Sequence, residues 1–109
     1  LVSVVKGIVL DVIVDLRKDS KTFGHYIMEE LSEYNNRQLF LPMGMAHGFL
    51  TMEDNTIFSY KCSNFYHKDS EDSILWNDSS LNIKWPNPNP ILSEKDENAK
   101  KFSSFVSPF

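Results

Sequence analysis

Residues 1–15, LVSVVKGIVLDVIVD, carry an apolar side chain at most positions, and Lys6-Gly7 interrupts the run where a two-residue turn needs positive φ. The pattern predicts a β-hairpin. In its second arm Ile8, Leu10, Val12 and Val14 share one face, while Val9, Asp11, Ile13 and Asp15 share the other. The second face is partly polar, which fits either a partly polar interior or a wet outer face. RKDSKTFG, 17–24, reads as a charged loop. HYIMEELS, 25–32, fits strand or helix by pattern, and the neighbouring hairpins favour strand. After the polar turn EYNNR comes QLFLP, a short strand stopped by Pro42. HGFLTME and NTIFSYKCS flank the turn pair Asp54-Asn55 and predict a second hairpin.

Short strands with a turn signal every ten or so residues indicate an all-β sandwich or barrel. From residue 63 the character changes, and NFYHKDSEDSILWNDSSLNIKWPNPNP is loop-rich with isolated aromatics, expected to wrap the β-core over 63–92. In SEKDENAKKF, Ser93 is placed as a helix N-cap, with acids in the first turn and lysines in the last, predicting a short helix over 94–102.

A length of 109 residues suits a single domain with core strands over about 1–62, and an apolar fraction of 41% is that of ordinary globular proteins. Eleven basic against fifteen acidic residues, net charge −4 with no basic stripe, exclude a phosphate-tracking surface, so no nucleic-acid partner is expected. No apolar run approaches the roughly 20 residues that span a bilayer, so no membrane partner is expected either. Cys62 is the lone cysteine and cannot form an internal disulfide. With no apolar leader at the start, the expected location is cytoplasmic. LVSVV begins inside a strand pattern without an initiator Met, and the chain is expected to lack an N-terminal part.

Among candidate chemical groups, His47 in LPMGMAHGFL sits between small residues in an apolar run. It reads either as a strand-end residue bonded to backbone or as a pocket donor to a phosphate or carbonyl oxygen. No His-x-His pair or neighbouring carboxylate gives it a metal-ligand spacing, so no metal is expected. Tyr60 shares a strand face with Phe58 and Cys62, and is either a satisfied core tyrosine or a proton donor lining a barrel. Tyr66 and Phe65 read first as packing residues, and Lys95 and Asp96 first as solvated or capping residues of the short helix.

GIVLDVIVDLRKDSKTFG, RQLFLPMGMAHGF, YKCSNFY, ILWND, IKWP and ILSEKD, in that order and spacing, resemble the dTDP-4-dehydrorhamnose 3,5-epimerases across essentially the whole chain. The resemblance implies a cupin jelly-roll, or double-stranded β-helix barrel. It implies epimerisation at C3 and C5 of a nucleotide-linked 4-keto-6-deoxy sugar, without a cofactor, by a homodimer. By residue match it places His47 at a substrate-binding histidine and Tyr60 at the catalytic proton donor. Tyr66 falls on the aromatic that stacks on thymine, and Glu71 and Lys95 on substrate-contacting positions. Asp96 falls on the carboxylate that orients the catalytic histidine.

One departure matters. The family's base histidine stands in an Arg-Gly-Leu-His block absent from these 109 residues, and neither His25 nor His67 stands in such a block. The chain alone is therefore expected to be inactive. Competing readings are an epimerase acting at one carbon or on a related nucleotide sugar, a sugar 3,4-ketoisomerase of the same fold, and a non-catalytic jelly-roll fragment that binds nucleotide sugar.

Overall fold

The run over residues 2–15 forms two strands, but they do not pair with each other. In the computed structural model, which describes residues 1–63 and 71–109, β1 (Val2–Lys6) lies between β4 (Gln38–Leu39) and β6 (Ile57–Tyr60). The second strand, β2 (Ile8–Asp15), lies between β3 (Tyr26–Ser32) and β5 (Met45–Thr51) in another sheet. All the pairings are antiparallel. The predicted hairpin at Lys6-Gly7 is thus a passage between sheets. The same correction applies to the second hairpin, since β5 and β6 also belong to different sheets on either side of Asp54-Asn55. Both turn signals are real in the backbone, with Gly7 at φ 89° and Asn55 at φ 59°. Turn chemistry reverses the chain without choosing its hydrogen-bond neighbour. The two passages touch: a β-carbon on Gly7 would lie 2.4 Å from Thr56 Oγ1.

Burial decides the sheet partners. Val9 is fully buried with Val2 and Val4 of the facing sheet and with Leu31, while Phe58, Leu39 and Leu41 close that cluster. The opposite face of β2, with Val12 and Val14, packs with Leu16 and Leu81 under Ile74, Ile83, Trp85, Phe102 and Phe105. A strand covered on both faces reads as a nearly unbroken apolar run, which is why β2 shows so weak an alternation. Each such side chain contributes about 1.5–3 kcal/mol of burial. Asp11 and Asp15 are buried too, so the partly polar face of β2 is interior and not wet.

The fold is the expected all-β jelly-roll, with β3 resolved as strand by its seven-residue register against β2. The predicted helix over 94–102 is shorter, α1 spanning Glu94–Glu97. Ser93 caps it, its side chain accepting from the Asp96 N–H at 3.2 Å. Tertiary hydrogen bonds then capture the backbone: the Leu75 N–H donates to the Lys100 carbonyl at 2.7 Å, and the Phe102 N–H to Asp78 Oδ2 at 2.8 Å. Phe102–Ser104 forms a single 3-10 turn.

Candidate active site

Strand β5 is the edge of its sheet, and its register fixes which way His47 faces. His47 lies opposite Ile13, and Phe49 opposite Asp11, so both aromatic rings share the lumen-facing side of β2. Across the lumen Phe58 of β6 meets them, with ring centroids 6.0 Å from His47 and 4.5 Å from Phe49. Phe49 stacks on His47 from its own strand at 6.0 Å. The imidazole therefore lies against one side of a Phe49–Phe58 pair, with about a quarter of its side chain exposed. Its Nε2 lies 2.5 Å from Oδ1 of Asp11, which is completely buried. That spacing is an ion-pair distance, yet neither Asp11 oxygen receives a well-aligned hydrogen bond from the described residues. Asp11 was visible in sequence only as one of two carboxylates on a face of an apolar strand. Its contact with His47 depends on β5 pairing with β2, which the strand pattern does not specify.

Beside β5 an open cavity of about 1070 Å³ runs between that strand and residues 71–109. His47, Glu71, Lys95 and Asp96 all line it, among apolar neighbours such as Trp76 and Trp85. Four sequence-selected residues from three separate segments are thus brought together. Lys95 Nζ and Glu71 Oε2 are 3.2 Å apart, both partly exposed, so each is available to a ligand at little cost in stability. Asp96 contributes its N–H to the cap and lines the cavity from a four-residue helix.

Tyr60 is placed differently. It pairs with Val2, and Phe58 with Val4, so its ring lies on the same face of β6 as Phe58, whose ring meets His47. It is 68% exposed and does not line the cavity. Tyr66 lies outside the described residues. Among the described residues no group of three or more His, Cys, Asp or Glu side chains is placed to hold a metal ion.

Two buried carboxylates, missed as organisers in the sequence, fix the surrounding loops. Asp15 receives Arg17 Nε at 3.0 Å, Arg17 Nη2 at 3.0 Å, Ser20 Oγ at 2.6 Å and Thr22 Oγ1 at 2.5 Å. The Arg17 guanidinium first, then the two hydroxyls, hold its carboxyl far below the usual carboxylate range. For Asp78 burial acts upward, but amide donors from Phe102, Ser80 and Leu81 outweigh it, and the net direction is down. Asp78 thereby ties the 3-10 turn to the segment that carries Trp76.

Comparison with known proteins agrees with this architecture. A family model described as dTDP-4-dehydrorhamnose 3,5-epimerase matches residues 1–104. A dTDP-4-dehydrorhamnose 3,5-epimerase of Shigella flexneri is 53% identical over 102 residues, covering 94% of this chain and 56% of that protein. The chain spans about half the length of the curated relatives it matches. Among solved structures, a dTDP-6-deoxy-D-glucose-3,5-epimerase from Legionella pneumophila, in complex with dTDP-4-keto-L-rhamnose, superposes with a TM-score of 0.92 at 43% identity, over 96% of this chain and 56% of that one. A 3'-monoepimerase from Streptomyces bikiniensis, in complex with dTDP-quinovose, superposes with a TM-score of 0.89 at 35% identity, over 94% and 52%. With a jelly-roll of two three-stranded sheets and a family match over nearly its whole length, this chain belongs to the dTDP-4-dehydrorhamnose 3,5-epimerase family.

Proposed function

We propose that this chain forms part of an enzyme that epimerises C3 and C5 of dTDP-4-dehydro-6-deoxyglucose, giving dTDP-4-dehydrorhamnose by proton abstraction and reprotonation. The observation that carries the reading is the convergence of His47, Glu71, Lys95 and Asp96 on one cavity in a chain of this family. The hydrogens on C3 and C5 of a 4-keto sugar are both α to the carbonyl. Removing either leaves an enolate whose charge rests on the C4 oxygen, so no cofactor is needed. A base on one face and an acid on the other invert each centre, and each group contributes a hundredfold or more, on the order of 10²–10⁴. Tyr60 is the proposed acid.

Asp96 is the proposed orienting carboxylate for a histidine base, holding one tautomer and stabilising the imidazolium as it forms. That base is not supplied by the three histidines here, because none stands in the block the resemblance calls for. The proposed activity therefore needs residues beyond these 109, and the isolated chain is proposed to be inactive. His47, Glu71 and Lys95 are the proposed contacts to the nucleotide sugar, and Tyr66 the platform for its base. Among the described residues no helix is long and apolar enough to cross a membrane. A cytoplasmic homodimer is the assembly that goes with this reading.

The test is NMR of dTDP-4-keto-6-deoxyglucose in heavy water, with the gene product that contains this chain and with the chain alone. Deuterium entering at both C3 and C5 with the former supports the double epimerase. Exchange at one carbon points to a mono-epimerase, as in the Streptomyces bikiniensis relative. Binding without exchange leaves a nucleotide-sugar binding module, and neither binding nor exchange rejects the reading.

A further inference from the structure

The helix that carries Lys95 and Asp96 has no side chain of its own packed into the fold. It buries no residue, and every residue from Ser93 to Asn98 is exposed. A helix of four residues is unstable alone in water, because nucleation costs more than its few hydrogen bonds return. Its own closures are local. Ser93 caps one end, and at the other the Asn98 N–H and Nδ2 both donate to the Glu94 carbonyl, at 3.1 and 2.9 Å. These bonds shape the turn without fixing where it stands.

Its place is decided just downstream. A single residue, Ala99, separates Asn98 from Lys100, whose carbonyl accepts the Leu75 N–H at 2.7 Å and whose N–H donates to the Ser73 carbonyl at 3.4 Å. Two residues later the Phe102 N–H donates to Asp78 Oδ2 at 2.8 Å. The other oxygen, Oδ1, accepts from the Ser80 and Leu81 N–H groups at 2.8 and 3.3 Å, and Leu81 belongs to the core cluster with Val12, Val14 and Leu16. One buried carboxylate thus joins the arm to the core with both oxygens engaged. Two ion pairs, Lys95–Glu71 at 3.2 Å and Lys100–Asp72 at 2.9 Å, span the same gap, but their side chains are partly exposed. Exposed pairs hold weakly, whereas amide bonds to a buried charge are among the stronger ones.

We infer that Asp78 is a positioning residue for the cavity: by holding Phe102 and the backbone beside it, Asp78 sets where Lys95 and Asp96 stand opposite β5. What those two residues do to a nucleotide sugar rests on the reading above. The attachment of α1 rests on the hydrogen bonds alone.

The experiment measures ¹⁵N order parameters and amide hydrogen exchange on the 109-residue chain without ligand. In the parent chain the Lys95 and Asp96 amides should show order parameters of about 0.85, as rigid backbone does, and the Phe102 N–H should be protected. Asp78→Asn keeps the shape but puts an NH2 group, which cannot accept, in place of one oxygen. In that variant the two amides should fall below about 0.6, and the Phe102 N–H should exchange at least about tenfold faster, with the β2 amides unchanged. A residue that only stabilises the core would lower the urea midpoint and leave α1 as ordered as β2. A mobile α1 or an unprotected Phe102 N–H in the parent chain overturns the assignment, and so does an α1 that stays ordered in folded Asp78→Asn. If that variant does not fold, the double variant Glu71→Gln, Asp72→Asn decides. The arm should stay ordered without its ion pairs, and loosening there overturns the assignment in favour of the exposed charges. In the gene product that contains this chain, Asp78→Asn should also lower kcat for deuterium entry at C3 and C5 by about tenfold to a hundredfold. A loosened α1 with unchanged kcat counts against Asp96 as the orienting carboxylate and leaves the attachment by Asp78 intact.

Discussion

The indole of Trp85 lies on Gly48, the residue after His47, so closely that a β-carbon built there would sit 3.8 Å from the ring. The same indole N–H donates to the Trp76 carbonyl at 2.8 Å, and the two tryptophan rings meet edge-on at 6.5 Å. Trp85 thus clamps residues 74–85 onto the strand that carries the candidate site. Trp85→Ala should cost roughly 2–4 kcal/mol, less than a fully buried tryptophan because the ring is only partly buried, and should show as a lower urea midpoint. Gly48→Ala is expected to be nearly neutral, since 3.8 Å is ordinary van der Waals contact. A large loss in Gly48→Ala would mean that the indole sits closer to the strand than described.

Asp15 gives a pH prediction. Its carboxyl ionises in the folded chain well below the usual range, chiefly through Arg17 and then Ser20 and Thr22, while in the unfolded chain it ionises near 3.9. The unfolded state therefore binds the extra proton in the acid range, and stability falls as pH drops below about 4. Asp78 acts in the same direction. Asp15→Asn should lower stability at pH 7, and the difference from the parent chain should shrink between about pH 5 and pH 2. Thermal unfolding across that range checks it, and a difference independent of pH would refute the role assigned to the charge.

Gly7→Ala should be severe. The residue holds φ 89°, and its added methyl would meet Thr56 Oγ1 at 2.4 Å and the Thr56 Cα at 3.1 Å. Backbone strain and overlap together are worth about 2–4 kcal/mol. Loss of the folded signal in circular dichroism, or a urea midpoint lowered accordingly, is the expected outcome, whereas parent-like stability would mean that the two inter-sheet passages are not packed as described.

In the gene product that contains this chain, Tyr60→Phe should remove epimerisation and leave dTDP binding nearly unchanged, because only the phenolic proton is lost. Turnover at the parent rate would take Tyr60 out of the mechanism.

Tyr66→Ala should weaken dTDP binding by about 1–3 kcal/mol if its ring stacks on the base, as base–aromatic contacts generally do. Titration calorimetry with dTDP decides it, and an unchanged Kd would make Tyr66 a packing residue.

The strands, their turns and the all-β class were legible in the sequence because alternation, Gly7, Asn55 and Pro42 act within a few residues of themselves. Strand pairing was not, and both predicted hairpins proved to be passages between sheets, because β2 gains more by covering Val9 with Val2 and Val4, and Val12 with Leu81, than by pairing with β1. The helix lost its second half for a related reason: hydrogen bonds from residues 75 to 78, distant in sequence, take the backbone at Lys100 and Phe102. His47, Glu71, Lys95 and Asp96 were picked out by family resemblance, and local pattern alone left each with a structural alternative. By itself the sequence determined which segments are extended, where the chain reverses and which family it belongs to, since those rest on local backbone preference and on residue identity. Only the tertiary structure decided that Asp11 faces His47 and that the residues of α1 share a cavity with β5, because such neighbours come from long-range burial that no short stretch of chain encodes.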